Sequence, residues 1–422
     1  MRLRTNSLWC CLALCGALVL GGGSIEAADP VANWPQWRGP HRDGSVAAER
    51  WPDRLDEAHL VRQWTVPLGP SYSGPIVYGE RVFVTETFEK RDEIVRALDR
   101  TSGEELWRVQ WEGSLQVPFF AAANGSWIRS TPACDGDSLY VAGIRDVLVC
   151  LDVENGEERW RVDLVEEFGS ALPSFGCVAS PLVIGDAVYL QGGAGFVRLD
   201  KHTGEASWRV LADAGGMFGS AFSSPMPAEL QGVPQILVQT RERLAGVDPT
   251  TGAELWSQKV EAFRGMNILT PVVHEDGVFT SSYGGGAFRY AISQSDDEWR
   301  VEEDWTTRQE AYMSTPVVID GHAYLHLKNQ RFTCVDLSTG ETKWTTTPYG
   351  KYWSLVTNGA RILALDERGD LYLIEATPEE FRLLDSRSVD EVSPWAHVAV
   401  VGDEVFIRGL ESVSAYSWRT GE

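Results

Sequence analysis

From about residue 60 onward, short apolar runs alternate with turns centred on Gly, Asp or Asn. One unit opens with Ser/Thr-Pro and apolar residues, passes a turn and enters a second β-rich run, as in Ser130-Thr131-Pro132, Asp135-Gly136-Asp137 and Leu139-Tyr140-Val141. Apolar runs on either side of an Asp-Gly or Asn-Gly pair read as hairpins. The unit recurs eight times, near Pro75, Pro132, Pro181, Pro225, Pro271, Pro316, Val356 and Val398. A period of roughly 40 to 50 residues is that of a propeller blade.

A second signal recurs in the same order: an Asp, a Gly four residues on and a Trp four residues after that. It occurs as Asp99-Gly103-Trp107, Asp152-Gly156-Trp160, Asp200-Gly204-Trp208, Asp248-Gly252-Trp256 and Asp336-Gly340-Trp344, with a degenerate copy from Ala291 to Trp305. Around Leu373-Ile374 and Ala415-Tyr416 the pattern is lost. The Asp side chain can accept from backbone N–H groups of the following turn, and the Gly takes the left-handed position. A Trp opening each outer strand can cover the junction with the next blade while its N–H finds one polar partner. Trp64, Trp107, Trp160, Trp208, Trp256, Trp305 and Trp344 are thus expected to dock blades.

The pattern predicts an all-β fold: an eight-bladed propeller of four-stranded antiparallel blades. The eighth unit stops before a full outer strand, whereas Val61-Arg62-Gln63-Trp64-Thr65-Val66 stands alone at the start and resembles the Trp-led strands. The N-terminal strand is therefore expected to complete the last blade and leave no open seam. The division that follows is a leader over 1–28, a lead-in over 29–60 and the propeller over 61–422.

Composition adjusts this picture in four ways. The 41 Gly and 17 Trp agree with many tight turns and a recurring packing task. Arg2 and Arg4, the apolar run Leu8–Leu20 and the small residues at Ala27-Ala28 have the layout of a secretory signal peptide, too short to span a bilayer. The expected location is outside the cytoplasm, in the periplasm or cell envelope. A net charge of -23 opposes nucleic-acid binding. Cys10, Cys11 and Cys15 leave with the leader, and Cys134, Cys150, Cys177 and Cys334 are expected as buried free thiols.

Ala97-Leu98-Asp99-Arg100-Thr101-Ser102-Gly103-Glu104-Glu105-Leu106-Trp107 resembles the repeat of the quinoprotein-like (PQQ-like) propeller family, and Trp34-Pro35-Gln36-Trp37-Arg38-Gly39-Pro40 looks like the lead-in of its exported bacterial members. The resemblance covers residues 60 to 418. It implies either a pyrroloquinoline-quinone alcohol dehydrogenase or a cofactor-free branch that binds proteins and includes outer-membrane assembly lipoproteins. The family's enzymes hold a vicinal Cys-Cys disulfide against the quinone and bind calcium through Glu, Asn and Asp. Here the only adjacent cysteines are Cys10-Cys11, and no cofactor or calcium residue matches a position of this chain.

No GxSxG, HExxH, P-loop or EF-hand pattern occurs. His322, Tyr324 and His326 share one face of a predicted strand, and two histidines do not close a metal site. Ahead of the inner strands stand Tyr72, Trp127, Arg129, Phe222, Asn267, Tyr312, Trp353, Trp395 and His397. Loops entering inner strands ring one face of a propeller, so these residues form the candidate binding rim. The reading is a monomeric, non-catalytic exported scaffold with a protein or other ligand on one face. It has no nucleic-acid partner, no transmembrane span and no expected cofactor. The alternative is an oxidoreductase using pyrroloquinoline quinone and calcium through an atypical site.

Overall fold

The structure, a computed structural model, describes residues 32–46, 51–296, 298–389 and 392–419, without the side chains of residues 123 and 124. The expected leader over residues 1–28, with Cys10, Cys11 and Cys15, lies outside the described residues. Eight four-stranded antiparallel sheets form a β-propeller. Blade 1 comprises Ile76–Tyr78, Arg81–Phe88, Asp92–Asp99 and Glu105–Glu112, ordered from the inner to the outer strand. Blades 2 to 7 repeat this order and begin at Ala133, Leu182, Met226, Val272, Val317 and Ser354.

Blade 8 contains Ala399–Val401, Glu404–Arg408 and Ser412–Trp418, and its outer strand is Leu60–Pro67 from the other end of the described chain. That strand runs antiparallel to Ser412–Trp418, with Val61 opposite Ser417 and Val66 opposite Val413, and one irregularity between Arg62 and Trp64. The ring closes through main-chain hydrogen bonds between the two ends, so blade 8 gains its fourth strand and Ser412–Trp418 is not left as the edge.

The Asp-Gly-Trp repeat works as a joint between blades. Asp99 Oδ1 accepts from the N–H groups of Thr101 and Ser102 at 3.0 and 2.8 Å, and Asp152, Asp200, Asp248 and Asp336 hold the same turn. The five turn glycines have φ between +74° and +77°. Each lies under the indole of the preceding blade: a Cβ on Gly156 would come within 2.6 Å of the Trp107 ring, and one on Gly204 within 2.8 Å of Trp160. The same indoles donate Nε1–H to a carbonyl of that turn, Trp64 to Arg100, Trp107 to Val153, Trp160 to Lys201, Trp208 to Thr250 and Trp305 to Leu337, at 2.9–3.1 Å. Glycine is needed there twice over, for the left-handed backbone and for the ring above it.

Three joints depart from this pattern. Between blades 6 and 7, Trp344 still donates Nε1–H to the Thr377 carbonyl at 3.0 Å, but over a turn that lacks the glycine. The other two differ for visible reasons. Blade 5 replaces the short turn by a long hairpin of Gly286–Ser295 and Glu298–Thr307. Trp256 packs toward it beside Tyr290 and Ile292, but its Nε1–H turns back to Gln235 Oε1 of its own blade at 2.6 Å. Blade 7 carries no Trp on its outer strand Arg382–Ser388. Its joint to blade 8 is made by the lead-in: Trp51 stacks on Trp418 with centroids 5.9 Å apart, Asp385 accepts from Leu55 N–H at 2.7 Å, and Arg387 donates to the carbonyls of Leu55 and Leu60.

Candidate functional site

The inner strands begin at one face, and the residue before the proline there is a hydroxyl in five blades. Thr131 N–H donates to Ser180 Oγ at 3.0 Å, Ser180 N–H to Ser224 Oγ at 3.0 Å, Ser224 N–H to Thr270 Oγ1 at 3.2 Å and Thr270 N–H to Thr315 Oγ1 at 3.2 Å; Gly74 N–H opens the series by donating to Thr131 Oγ1 at 2.9 Å. The Ser/Thr-Pro signature therefore stitches neighbouring inner strands around the axis. The proline has no N–H to leave unsatisfied in that crowded place.

The lead-in fills the axis behind this ring. Trp34 pairs with Val77 through both main-chain hydrogen bonds, Pro35 accepts from Cys134 N–H at 2.8 Å, and Val46 donates to Thr357 at 2.9 Å. Arg38 and Arg42, each 1% exposed, reach across to opposite sides. Arg38 donates to the carbonyls of Asp43 at 2.8 Å and Pro316 at 2.6 Å, and Arg42 to those of Pro181 at 2.8 Å and Ser180 at 3.1 Å and to Gln36 Oε1. Burial lowers both guanidinium pKa values, Arg38 to about 10 against the opposing pull of Asp43, and Arg42 to about 9. Both remain cationic at neutral pH. Their charged planes sit beside the Trp37 ring, 5.6 and 5.3 Å from its centroid.

Above Trp37 opens a funnel of about 720 Å³ on the face where the inner strands start. Its depth is lined by Trp37, His397 and the hydroxyls of Thr131, Ser180, Ser224, Thr270 and Thr315. Its walls are aromatic and sulfur-bearing, with Arg129, Arg241 and Arg264 as the cations and no Asp or Glu in the lining.

A collar of rings runs around the mouth. Trp127 meets Tyr72 edge-on at 5.2 Å, Tyr72 stacks on Trp395 at 5.0 Å, and Trp395 touches Tyr352 at 4.6 Å. The series continues through Tyr312, Tyr283 and Phe263, while Phe119, Phe120, Phe175 and Phe222 form the other arc. Arg241 covers Phe222 at 4.7 Å and Arg129 covers Tyr72 at 5.3 Å. Phe119 and Phe218 project from the mouth with exposures of 90% and 77%, which is unusual for phenylalanine unless something covers it.

Of the nine residues expected at the rim, Tyr72, Arg129, Phe222, Tyr312, Trp395 and His397 line the funnel, and Trp127 supports Tyr72 from outside. The other two lie elsewhere. Asn267 is fully buried and donates Nδ2–H to the carbonyls of Thr240 and Arg241. Trp353 is 1% exposed and packs between His326, Phe332 and Tyr372, because the strand of blade 7 begins at the very next residue and turns that indole into the core. Its neighbour Tyr352, in the left-handed region at φ 54°, joins the collar instead.

Sequence reasoning missed Trp37, Phe120, Phe175, Arg241 and Arg264. The last four sit in irregular connections without periodicity, whereas Trp37 stood within a quoted motif whose destination in the axis carried no local signal.

His397 is held as the neutral imidazole near neutral pH. Burial and the charge of Arg38 push its pKa down to about 3, and its Nδ1 faces Ser354 Oγ at 3.2 Å. His326 is a structural residue: it lies on Trp353, its Nε2 is 2.9 Å from the Tyr349 carbonyl, and burial lowers its pKa to about 4. The quinone–calcium group does not fit this lining. Calcium needs several hard oxygen ligands, usually carboxylates, and the funnel has no carboxylate. Cys134, Cys150, Cys177 and Cys334 are buried free thiols, none adjacent to another in sequence. Among the described residues no three His, Cys, Asp or Glu side chains are grouped to hold a metal.

Comparison with known proteins places these features. The chain is 20% identical over 365 residues to the outer membrane protein assembly factor BamB of Yersinia pestis, covering 82% of this chain and 86% of that protein. The crystal structure of BamB from Moraxella catarrhalis matches with a TM-score of 0.62 at 15% identity, over 86% of this chain and 99% of that one. A europium-containing methanol dehydrogenase matches with a TM-score of 0.52 at 11% identity, over 92% of this chain and 98% of that one, so the fold is common to both branches. The family model described as outer membrane protein assembly factor BamB matches residues 91–346, and this chain belongs to that PQQ-like propeller family.

Proposed function

We propose that the protein is an exported, non-catalytic scaffold of the cell envelope that receives a segment of a partner protein in the aromatic funnel. The observation that carries this reading is the collar itself: rings contributed from all around the wheel, open to solvent at Phe119 and Phe218, above a floor sealed by the lead-in. Partner-binding surfaces concentrate aromatic and Arg anchors in this way. The curated relatives named as outer-membrane assembly factors support a role within a protein assembly, and the leader over residues 1–28 supports export. The lining holds no carboxylate, and the hydroxyls at its depth are engaged as acceptors of the neighbouring strands' N–H groups, which favours binding over chemistry.

A photo-crosslinking amino acid at Phe218, in protein expressed in its native envelope, is expected to give a discrete covalent adduct with another protein. The same residue at Asn155, exposed on the opposite face, serves as the control. Adducts at Asn155 and none at Phe218 would reverse the assignment of the binding face.

A further inference from the structure

The funnel combines two properties that a purely apolar docking site does not need. Three cations line it, and two more lie under its floor, yet it holds no carboxylate in a chain whose net charge is -23. Arg241 is 7% exposed, and only its Nη2 is engaged, donating to the Arg264 carbonyl at 2.8 Å; its Nε and Nη1 are buried without a hydrogen-bond partner. Asp213, the acidic group acting on Arg241, already accepts from the N–H groups of Gly215 and Ser220. A buried guanidinium with spare donors, lying over Phe222, is costly unless an anion completes it. Beneath, Arg38 and Arg42 are matched mainly to neutral carbonyls, so their positive charge is felt at the floor around Trp37.

Building on the scaffold reading above, we propose that the segment entering the funnel is the carboxyl terminus of a peptide, its α-carboxylate held by Arg241 and its last apolar or aromatic side chains held by the collar. A single carboxylate on an apolar chain suits the electrostatics: the acidic surface repels extended polyanions, while the pocket attracts one negative charge at short range. The planar guanidinium can grip a carboxylate with two parallel hydrogen bonds, which a Lys cannot do. The exposed phenylalanines at the mouth extend the apolar surface beyond the cavity, as a chain leaving the pocket requires and a compact small molecule does not.

The test uses calorimetric titration of the mature protein with the probe acetyl-Ala-Ala-Phe-Ala-Phe, as the free acid and as its C-terminal amide. The acid is expected to bind at least about tenfold more tightly than the amide. Arg241→Gln should abolish that preference. Because Arg241 also holds a loop carbonyl, the melting temperature of the variant is measured alongside, and the preference of the unaltered protein is titrated against salt, which should weaken the acid and leave the amide unchanged.

Equal binding of acid and amide would overturn the carboxylate assignment while leaving docking at the collar in place. Laurate binding as tightly as the peptide acid, with the same dependence on Arg241, would overturn a peptide occupant. No binding of either peptide, with crosslinking at Phe218 retained, would overturn this inference alone.

Discussion

Gly204 shows how much of the fold rests on single residues. Its φ of +77° suits glycine, and a Cβ there would press into the Trp160 ring at 2.8 Å. Gly204→Ala should cost about 2–3 kcal/mol, part for a left-handed non-glycine residue and part for displacing the indole. Gly185 has φ +57° and open space around it, so Gly185→Ala should lose only the backbone part, about 1 kcal/mol. Calorimetric melting of the two variants separates the terms, and equal shifts would mean that the ring does not seat on the glycine. These residues were legible because their task repeats with fixed spacing and leaves a fixed chemical trace. Trp256 shows the limit: its spacing is regular, but the blade ahead lacks the short turn, and so its N–H bonds Gln235.

At the scale of elements, the strands were readable and the connections were not. Ser/Thr-Pro marks five of the eight inner strands because one hydroxyl and one missing N–H serve there, whereas the funnel is built by loops whose residues answer to tertiary neighbours. Such loops carry no period, and Trp353 and Asn267 could not be told from true lining residues by position alone.

A polar link with no repeat signature also joins strand and loop across neighbouring blades. Glu93 of blade 1 accepts from Ile144 N–H of blade 2 at 2.6 Å and from Trp111 Nε1–H at 2.8 Å, and Asp146 of blade 2 accepts from Gly193 N–H of blade 3 at 2.8 Å. Burial pushes the Glu93 pKa up to about 7 and that of Asp146 up to about 6. A raised carboxyl pKa means that the folded state holds its proton to higher pH than the unfolded chain does. The stability contribution of Asp146 is therefore intact below the ordinary carboxylate range, falls as pH rises toward 6 at up to about 1.4 kcal/mol per pH unit, and is level above that. Asp146→Asn keeps an oxygen for Gly193 and removes the titration. Urea unfolding of both proteins should show the variant gaining on the unaltered protein between about pH 4 and 6, with a constant difference at higher pH. Parallel curves throughout would show that Asp146 ionises in the fold as it does in water.

For the whole molecule, closure was the deepest inference available from sequence, since it required only counting strands at the two ends. What counting could not supply was the second use of the N-terminal region, which plugs the axis and replaces the missing Trp joint of blade 7 before it becomes the last outer strand. The wheel is thus fastened where its repeat is weakest, and its stability should respond to that fastening more than to any one interior joint. Thr65 and Ser414 are directly opposite across the seam, with Oγ1 and Oγ 2.8 Å apart, so their Cβ atoms face each other at a separation suited to a disulfide. Thr65→Cys with Ser414→Cys should oxidise readily and close nearly the entire propeller into one covalent loop. For so long a loop the entropy removed from the unfolded chain corresponds to roughly 6 kcal/mol, less whatever strain the bond introduces. The oxidised protein should therefore melt well above its reduced form, and the reduced form close to the unaltered protein. A bond that forms without raising the melting temperature would mean that unfolding starts elsewhere in the ring, with the two ends still paired.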